Sequence, residues 1–158
     1  MMADILAGQP APLFTLPASD GSTVELAQLC GQYVVLYFYP KDNTPGCTLE
    51  TRQFGELHEQ FQAANAVILG ISRDSIKSHQ KFIEKLCTPF LLLSDSDSVV
   101  CTLYDVLKEK NMYGKKSIGV ERTTVLIDPE GNVVQVWRKV KADGHAGAVL
   151  AALQSVTS

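Results

Sequence analysis

The chain has 158 residues, of which 46% are hydrophobic and 20% charged, and its formal net charge is −3. That composition suits one globular domain, 1–158, long enough for a sizeable core, and the charge offers no electrostatic footprint for nucleic acid or an anionic membrane surface. No apolar run approaches the roughly 20 residues of a membrane span, and Met1-Met2-Ala3-Asp4-Ile5 lacks the basic and apolar regions of a signal peptide, so the cytoplasm is the expected compartment.

Phe14-Thr15-Leu16 and Thr23-Val24-Glu25-Leu26 flank Ser19-Asp20-Gly21-Ser22, which predicts an N-terminal β-hairpin with Asp-Gly turn chemistry. Leu26 to Leu29 reads as a single helical turn released by Gly31. Val34 to Tyr39 is a continuous apolar run, as expected of a strand covered on both faces, and Pro40 ends it. A helix from about Cys47 to Ala63 follows, with Phe54, Leu57 and Phe61 at helical spacing and Asn65 as its breaker. Ala66 to Ile71 is a second buried strand. Asp74-Ser75 opens a helix with Phe82, Ile83 and Leu86 on its apolar face, stopped by Thr88-Pro89. Phe90 to Leu93 is a third strand.

Asp95 to Ser98 supplies caps for a helix bearing Val99, Val100, Leu103 and Leu107. Lys108 to Gly119 is polar and reads as an exposed loop. Thr123 to Asp128 and Asn132 to Trp137 form an antiparallel hairpin around Pro129-Glu130-Gly131. Asp143 can cap a final helix from about Gly144 to Leu153. The order predicts an α/β fold with a mixed central sheet: parallel where strands and helices alternate, antiparallel at the closing hairpin. The economical form is a thioredoxin-like fold preceded by a hairpin, and its sites lie beyond the carboxyl ends of the strands.

One such end carries the stretch with chemistry in it, Pro40-Lys41-Asp42-Asn43-Thr44-Pro45-Gly46-Cys47. Thr44-Pro45 offers an N-cap followed by a proline in the first helical turn. Cys47 then sits where free backbone N–H groups and the positive helix end converge, a field that favours thiolate over thiol. A free thiol titrates near about 8.5, and such a site with a nearby cation can bring it to roughly 3.5–7.5. Cysteines at 30, 47, 87 and 101 form no C-x-x-C pair and the three histidines are scattered, so no zinc site is expected. In a reducing compartment the cysteines are expected as thiols at rest. His58, His79 and His145 read as decoration of helix surfaces, and Tyr37, Phe38, Tyr39 and Trp137 as core or pocket wall.

Pro40, Thr44 and Cys47 match the Pro-x-x-x-Thr-x-x-Cys motif of the peroxiredoxins, and the wider string from Phe38 to Glu50 resembles their bacterioferritin-comigratory, PrxQ-type branch. Later echoes are Gly70 to Ser75, Leu92 to Asp95 and Glu121 to Thr124, so the likeness runs over nearly the whole chain. It implies the thioredoxin-like fold and a thiol peroxidase that needs no haem, flavin or metal. Cys47 is then the peroxidatic nucleophile, Thr44 and Arg122 are donors to the peroxide, and Pro40 shapes and shields the loop. Backbone N–H groups around Gly46 and Cys47 add to the donors. Arginine suits its position because it stays charged and presents a planar fork. Glu50, one turn after Cys47, can orient Arg122 or merely complement the helix dipole.

The expected reaction takes ROOH and the Cys47 thiolate to ROH and a sulfenic acid, which a thiol condenses to a disulfide. A thioredoxin or another thiol then reduces it by exchange, and the protein is expected to work as a monomer. Many of the branch carry a second cysteine five residues after the first, where this chain has Arg52; others carry it at a position matching Ile83. Cys87, at the end of that helix, is the candidate resolving thiol, with an external thiol as the open alternative. Cys30 and Cys101 read as packed thiols. The competing classes are a thiol–disulfide oxidoreductase, which would need a cysteine in place of Thr44, and a peroxide-sensing switch that does not turn over.

Overall fold

A computed structural model describes residues 5–157, so the first four residues of the N-terminal reading lie outside it. The chain forms β1 (Thr15–Pro17), β2 (Thr23–Glu25), a 3₁₀ turn (Leu26–Leu29), β3 (Tyr33–Phe38), α1 (Pro45–Glu56), α2 (His58–Ala63) and β4 (Ala66–Ser72). It continues with α3 (Ile76–Leu86), β5 (Leu91–Ser94), α4 (Val99–Leu103), β6 (Leu107–Met112), β7 (Lys115–Val120), β8 (Thr123–Ile127), β9 (Val133–Trp137) and α5 (His145–Thr157). The central sheet has the order β5-β4-β3-β8-β9. Strands β3, β4 and β5 pair in parallel, while β8 and β9 add antiparallel, so the sheet is mixed as expected. Among the described residues no helix is long and apolar enough to cross a membrane.

The continuous apolar run of β3 is explained by its central place. Val34, Leu36 and Phe38 enter one core cluster, with the N-terminal hairpin, α4 and Tyr104, while Val35 and Tyr37 enter the other, with α1, α2, α3 and α5. A period of two, read on a strand covered on both faces, leaves no polar position. Gly70 belongs to the same logic. It is paired with Tyr37 on one side and Leu92 on the other, and a Cβ there would lie 2.6 Å from Leu92 Cδ2 and 2.7 Å from Tyr37 Cζ. The missing side chain is the room that Tyr37 and Leu92 occupy.

Five expectations about the elements need correction. Leu107 is not on the helix after Asp95: α4 ends at Leu103 and Leu107 opens β6. The 108–119 segment is not a loop: β6 and β7 form a hairpin from Leu107↔Val120 to Met112↔Lys115. Its turn residues Tyr113 and Gly114 both have positive φ, 52° and 79°, the conformation of a tight two-residue hairpin turn. The strands carry few apolar residues because the hairpin stands largely in solvent, which hid its period. The helix after Cys47 is two helices, parted at Leu57, whose N–H is shared between the Gln53 and Phe54 carbonyls at 3.2 Å each. Gly55, a poor helix former, stands just before the break. Asp143 does not cap the last helix by itself: its carboxylate accepts from the Gln53 side chain at 2.9 Å, and the same amide accepts from Gly144 N–H at 2.8 Å. Cys30 is exposed rather than packed, because it follows the 3₁₀ turn whose Leu26 points inward.

Gly70→Ala is expected to destabilise the protein by about 1–3 kcal/mol, the usual cost of overpacking a close-packed core. Urea unfolding would show a lower midpoint with an unchanged slope, and an unchanged midpoint would mean that Tyr37 and Leu92 can move aside.

Candidate active site

The site is assembled by strand register. Phe38, the last residue of β3, is paired with Thr123, the first of antiparallel β8. The chain leaving β3 toward Pro40 and the chain entering β8 at Arg122 therefore meet at one end of the central strands. Thr44 is the N-cap of α1 with extended backbone, and Pro45 occupies its first turn. The first helical hydrogen bond is Thr48 N–H to the Thr44 carbonyl, 2.8 Å, so the Gly46 and Cys47 N–H groups stand ahead of the helical ladder. The Thr44 hydroxyl does not cap them; it donates to the Lys41 carbonyl at 2.8 Å.

Cys47 is 1% exposed, at the N-terminal end of α1. Arg122 Nη2 lies 3.4 Å from its Sγ, and Arg122 Nη1 donates to Glu50 Oε1 at 2.7 Å. One guanidinium thus spans a sulfur and a carboxylate that project from the same helix one turn apart. Gly46 makes this approach possible, since a Cβ there would stand 3.0 Å from Arg122 Nη2. Pro40, Val120, Arg122 and Val140 help to line an open cleft of about 530 Å³ that adjoins the guanidinium.

Glu50 is fully buried, and its Oε2 has no hydrogen-bond partner among the described residues. Burial pushes its carboxyl up to about 7, with Arg122 pulling the other way. Burial also works against charge on Arg122, but Glu50 and Cys47 outweigh it and hold the guanidinium firmly protonated. His145, bonded to the Thr124 hydroxyl at 2.7 Å, is brought down to about 4 by burial and by Arg122, so it is neutral near pH 7. Burial holds the Cys101 thiol well above its ordinary range, with Asp95 acting in the same direction.

Two of the histidines are not surface residues. His79 is fully buried and His145 is 6% exposed. His79 Nδ1 lies 2.7 Å from Asp42 Oδ2 and its Nε2 2.9 Å from the Leu93 carbonyl. Asp42 further accepts from the Tyr39 and Ser78 hydroxyls, and its own N–H donates to Asp74. This network ties the loop before Cys47 to α3, and the sequence reading missed it. A signal was present, because His79 lies three residues from both Ile76 and Phe82, on the inward face of α3. Asp42, Asp74 and His79 bring ligand-type atoms within 4.8 Å of one another, but these hydrogen bonds already engage them. Cys87 is exposed, two turns beyond His79, and ends α3 in the left-handed conformation at φ 53°. Trp137 is half-buried and meets His145 edge-on at 5.9 Å.

Residues 7–136 match the AhpC/TSA family. Peroxiredoxin Bcp of Xanthomonas campestris pv. campestris is 53% identical over 156 residues, 98% of each chain. Peroxiredoxin Bcp of Bacillus subtilis is 47% identical over 150 residues, covering 95% of this chain and 96% of that one. Among solved structures, Xanthomonas campestris peroxiredoxin Q superposes with a TM-score of 0.90 at 50% identity, over 96% of this chain and 99% of that chain. The bacterioferritin comigratory protein of the same organism, solved in trapped intermediate and ligand complexes bearing on its alkyl peroxide reduction, gives 0.91 at 49%, over 97% and 100%.

The raised Glu50 carboxyl gives a signed pH dependence. Between about 4.5 and 7 the folded state holds a proton on Glu50 that the unfolded chain releases, so this residue makes stability fall as pH rises through that window. Relative to Glu50→Gln, the wild type is expected to lose up to about 3 kcal/mol from pH 4.5 to above 7. Parallel denaturation curves across that range would refute the shift.

Proposed function

The chain belongs to the Bcp/PrxQ peroxiredoxins of the AhpC/TSA family and is a thiol-dependent peroxidase; within that activity, we propose that Cys47 is the peroxidatic nucleophile and that Pro40, Thr44, Gly46 and Arg122 complete its site. The observation that carries this assignment is the Arg122 bridge, Sγ of Cys47 at 3.4 Å on one arm and Oε1 of Glu50 at 2.7 Å on the other. A fixed cation beside the sulfur stands where negative charge shifts during attack on a peroxide.

In the proposed step the thiolate attacks the terminal oxygen of ROOH. The O–O bond breaks, Cys47 becomes a sulfenic acid, and RO⁻ leaves to take up a proton as ROH. Charge develops on the peroxide oxygens, beside which Arg122 Nη2 and the Gly46 and Cys47 N–H groups can act as preorganised donors. The Thr44 hydroxyl would join them by turning away from the Lys41 carbonyl, a rotation about one side-chain bond. Pro40 would shape the loop and shield the sulfur from water. Hydrogen peroxide and organic hydroperoxides are the proposed substrates, and the alkyl peroxide reduction of the Xanthomonas relative supports the second class.

Regeneration is proposed to run through Cys87. Its exposure and its place at a helix end support this, since a helix end frays at small cost, and a disulfide needs the two Cα atoms within about 7 Å. The Cys47–Cys87 disulfide would then be reduced by a dithiol such as a thioredoxin, with the protein acting as a monomer in the cytoplasm. Direct reduction of the sulfenic acid by an external thiol is the alternative.

Stopped-flow oxidation by peroxide should lose its fast phase in Cys47→Ser and slow at least ~10²-fold in Arg122→Ala, the scale of one donor lost from a charged transition state. A surviving fast phase in the first variant would move the nucleophile elsewhere. For regeneration, non-reducing peptide mapping after one equivalent of peroxide should yield a Cys47–Cys87 peptide. Its absence, together with normal thioredoxin-driven turnover of Cys87→Ser, would leave the external-thiol route.

A further inference from the structure

Helix α3 carries Lys77, Lys81 and Lys85 at four-residue spacing, all three exposed. With Asn43, Ser75 and Phe82 they help to line an open concavity of about 440 Å³. Lys85 donates to the Asn43 side-chain oxygen at 2.6 Å. The ion pairs among the described residues are His79–Asp42, Lys108–Asp105, Lys116–Glu109 and Arg122–Glu50, and none uses these lysines. The carboxylate in the wall, Asp42, is 6% exposed and already engaged by Tyr39, Ser78 and His79. Like charges one turn apart repel along a helix; Lys85, in the last turn, complements the helix dipole, but Lys77 and Lys81 gain nothing from each other. The stripe is a concentration of positive charge on a chain whose net charge is −3.

Its position gives it a use. The wall includes Asn43, the residue before Thr44, and the helix that bears the lysines ends at exposed Cys87. Eleven residues of helix span roughly 16 Å, well within the footprint of one small protein on another. We propose that this basic concavity is the docking surface for an acidic dithiol protein that reduces the oxidised enzyme, an inference that rests on the peroxidase reading above. Docked there, the partner's thiolate attacks the Cys87 sulfur of the Cys47–Cys87 disulfide, and Cys47 leaves as thiolate. The partner's second thiol then attacks the mixed disulfide, releasing the Cys87 thiolate and leaving the partner as its own disulfide, two electrons poorer. Complementary charge raises the encounter rate and makes it depend on salt.

The test is the triple variant K77E/K81E/K85E, assayed with an acidic bacterial thioredoxin, thioredoxin reductase, NADPH and peroxide. At low salt its kcat/KM for thioredoxin should fall at least ~10-fold, and the wild-type rate should drop with added salt far more steeply than the variant's. K77Q/K81Q/K85Q should fall in the same direction by less. Single-turnover oxidation of Cys47 by peroxide, and turnover driven by dithiothreitol, should match the wild type in both variants, which also verifies that they fold. Were the wild type itself to show no peroxide oxidation, the peroxidase reading would fail rather than the surface. A kcat/KM for thioredoxin within twofold of wild type in both variants overturns the docking surface, as does wild-type turnover with dithiothreitol and none with thioredoxin. Lysine-dependent binding to phosphatidylglycerol vesicles without any change in thioredoxin kinetics would likewise overturn it and reassign the stripe to lipid.

Discussion

The guanidinium of Arg122 has to reach a sulfur on another element and stay there, and most of the architecture around the site follows from that requirement. Two groups on α1 face it, the Cys47 thiol and the Glu50 carboxylate, one helical turn apart, and the arginine spans both. Arg122 can do so because β8 runs antiparallel to β3 and so begins at the end of the sheet that β3 has just left. A parallel β8 would begin at the opposite end. Gly46 leaves the guanidinium uncrowded, since a Cβ there would stand 3.0 Å from Nη2. Glu50 accepts burial with one oxygen unpartnered among the described residues, an arrangement that costs stability and holds the cation in place.

A second buried network does for the loop what Glu50 does for the arginine. Asp42 lies between Pro40 and Thr44, and His79, Ser78 and Tyr39 all converge on its carboxylate. His79 in turn reaches the Leu93 carbonyl on β5. The loop ahead of Cys47 is therefore anchored to α3 through largely buried side chains. Such networks are stiff when every member is satisfied and costly when one is removed. The helix that holds the loop also ends at Cys87, so the order of the loop and the availability of the second thiol depend on one element.

The cysteines divide by environment. Cys47 is buried beside a cation, Cys101 is buried with Asp95 nearby and its thiol held protonated, and Cys30 and Cys87 are exposed. Reactivity follows the thiolate and its neighbours rather than exposure alone. This is why a buried thiol, Cys47, is the one assigned the first chemical step while the equally buried Cys101 is not, and why exposure matters for the second step, where another thiol must reach the sulfur.

What the sequence determined by itself was local. The uninterrupted apolar run of β3, the Asp-Gly turn of the first hairpin, the Thr44-Pro45 helix start and the Pro129-to-Gly131 turn are written in neighbouring residues, and each lies where its chemistry puts it. The fold class followed from the order of those pieces. Tertiary structure decided what depends on partners distant in the chain. His79 and His145 are polar residues that became core because Asp42, Leu93 and Thr124 were there to receive them. The β6–β7 hairpin, polar on most of its surface, shows itself only through its cross-strand pairing. The thiol–arginine–glutamate bridge joins positions 47, 50 and 122, and its distances come from strand register, which a one-residue slip would destroy and which no local pattern encodes.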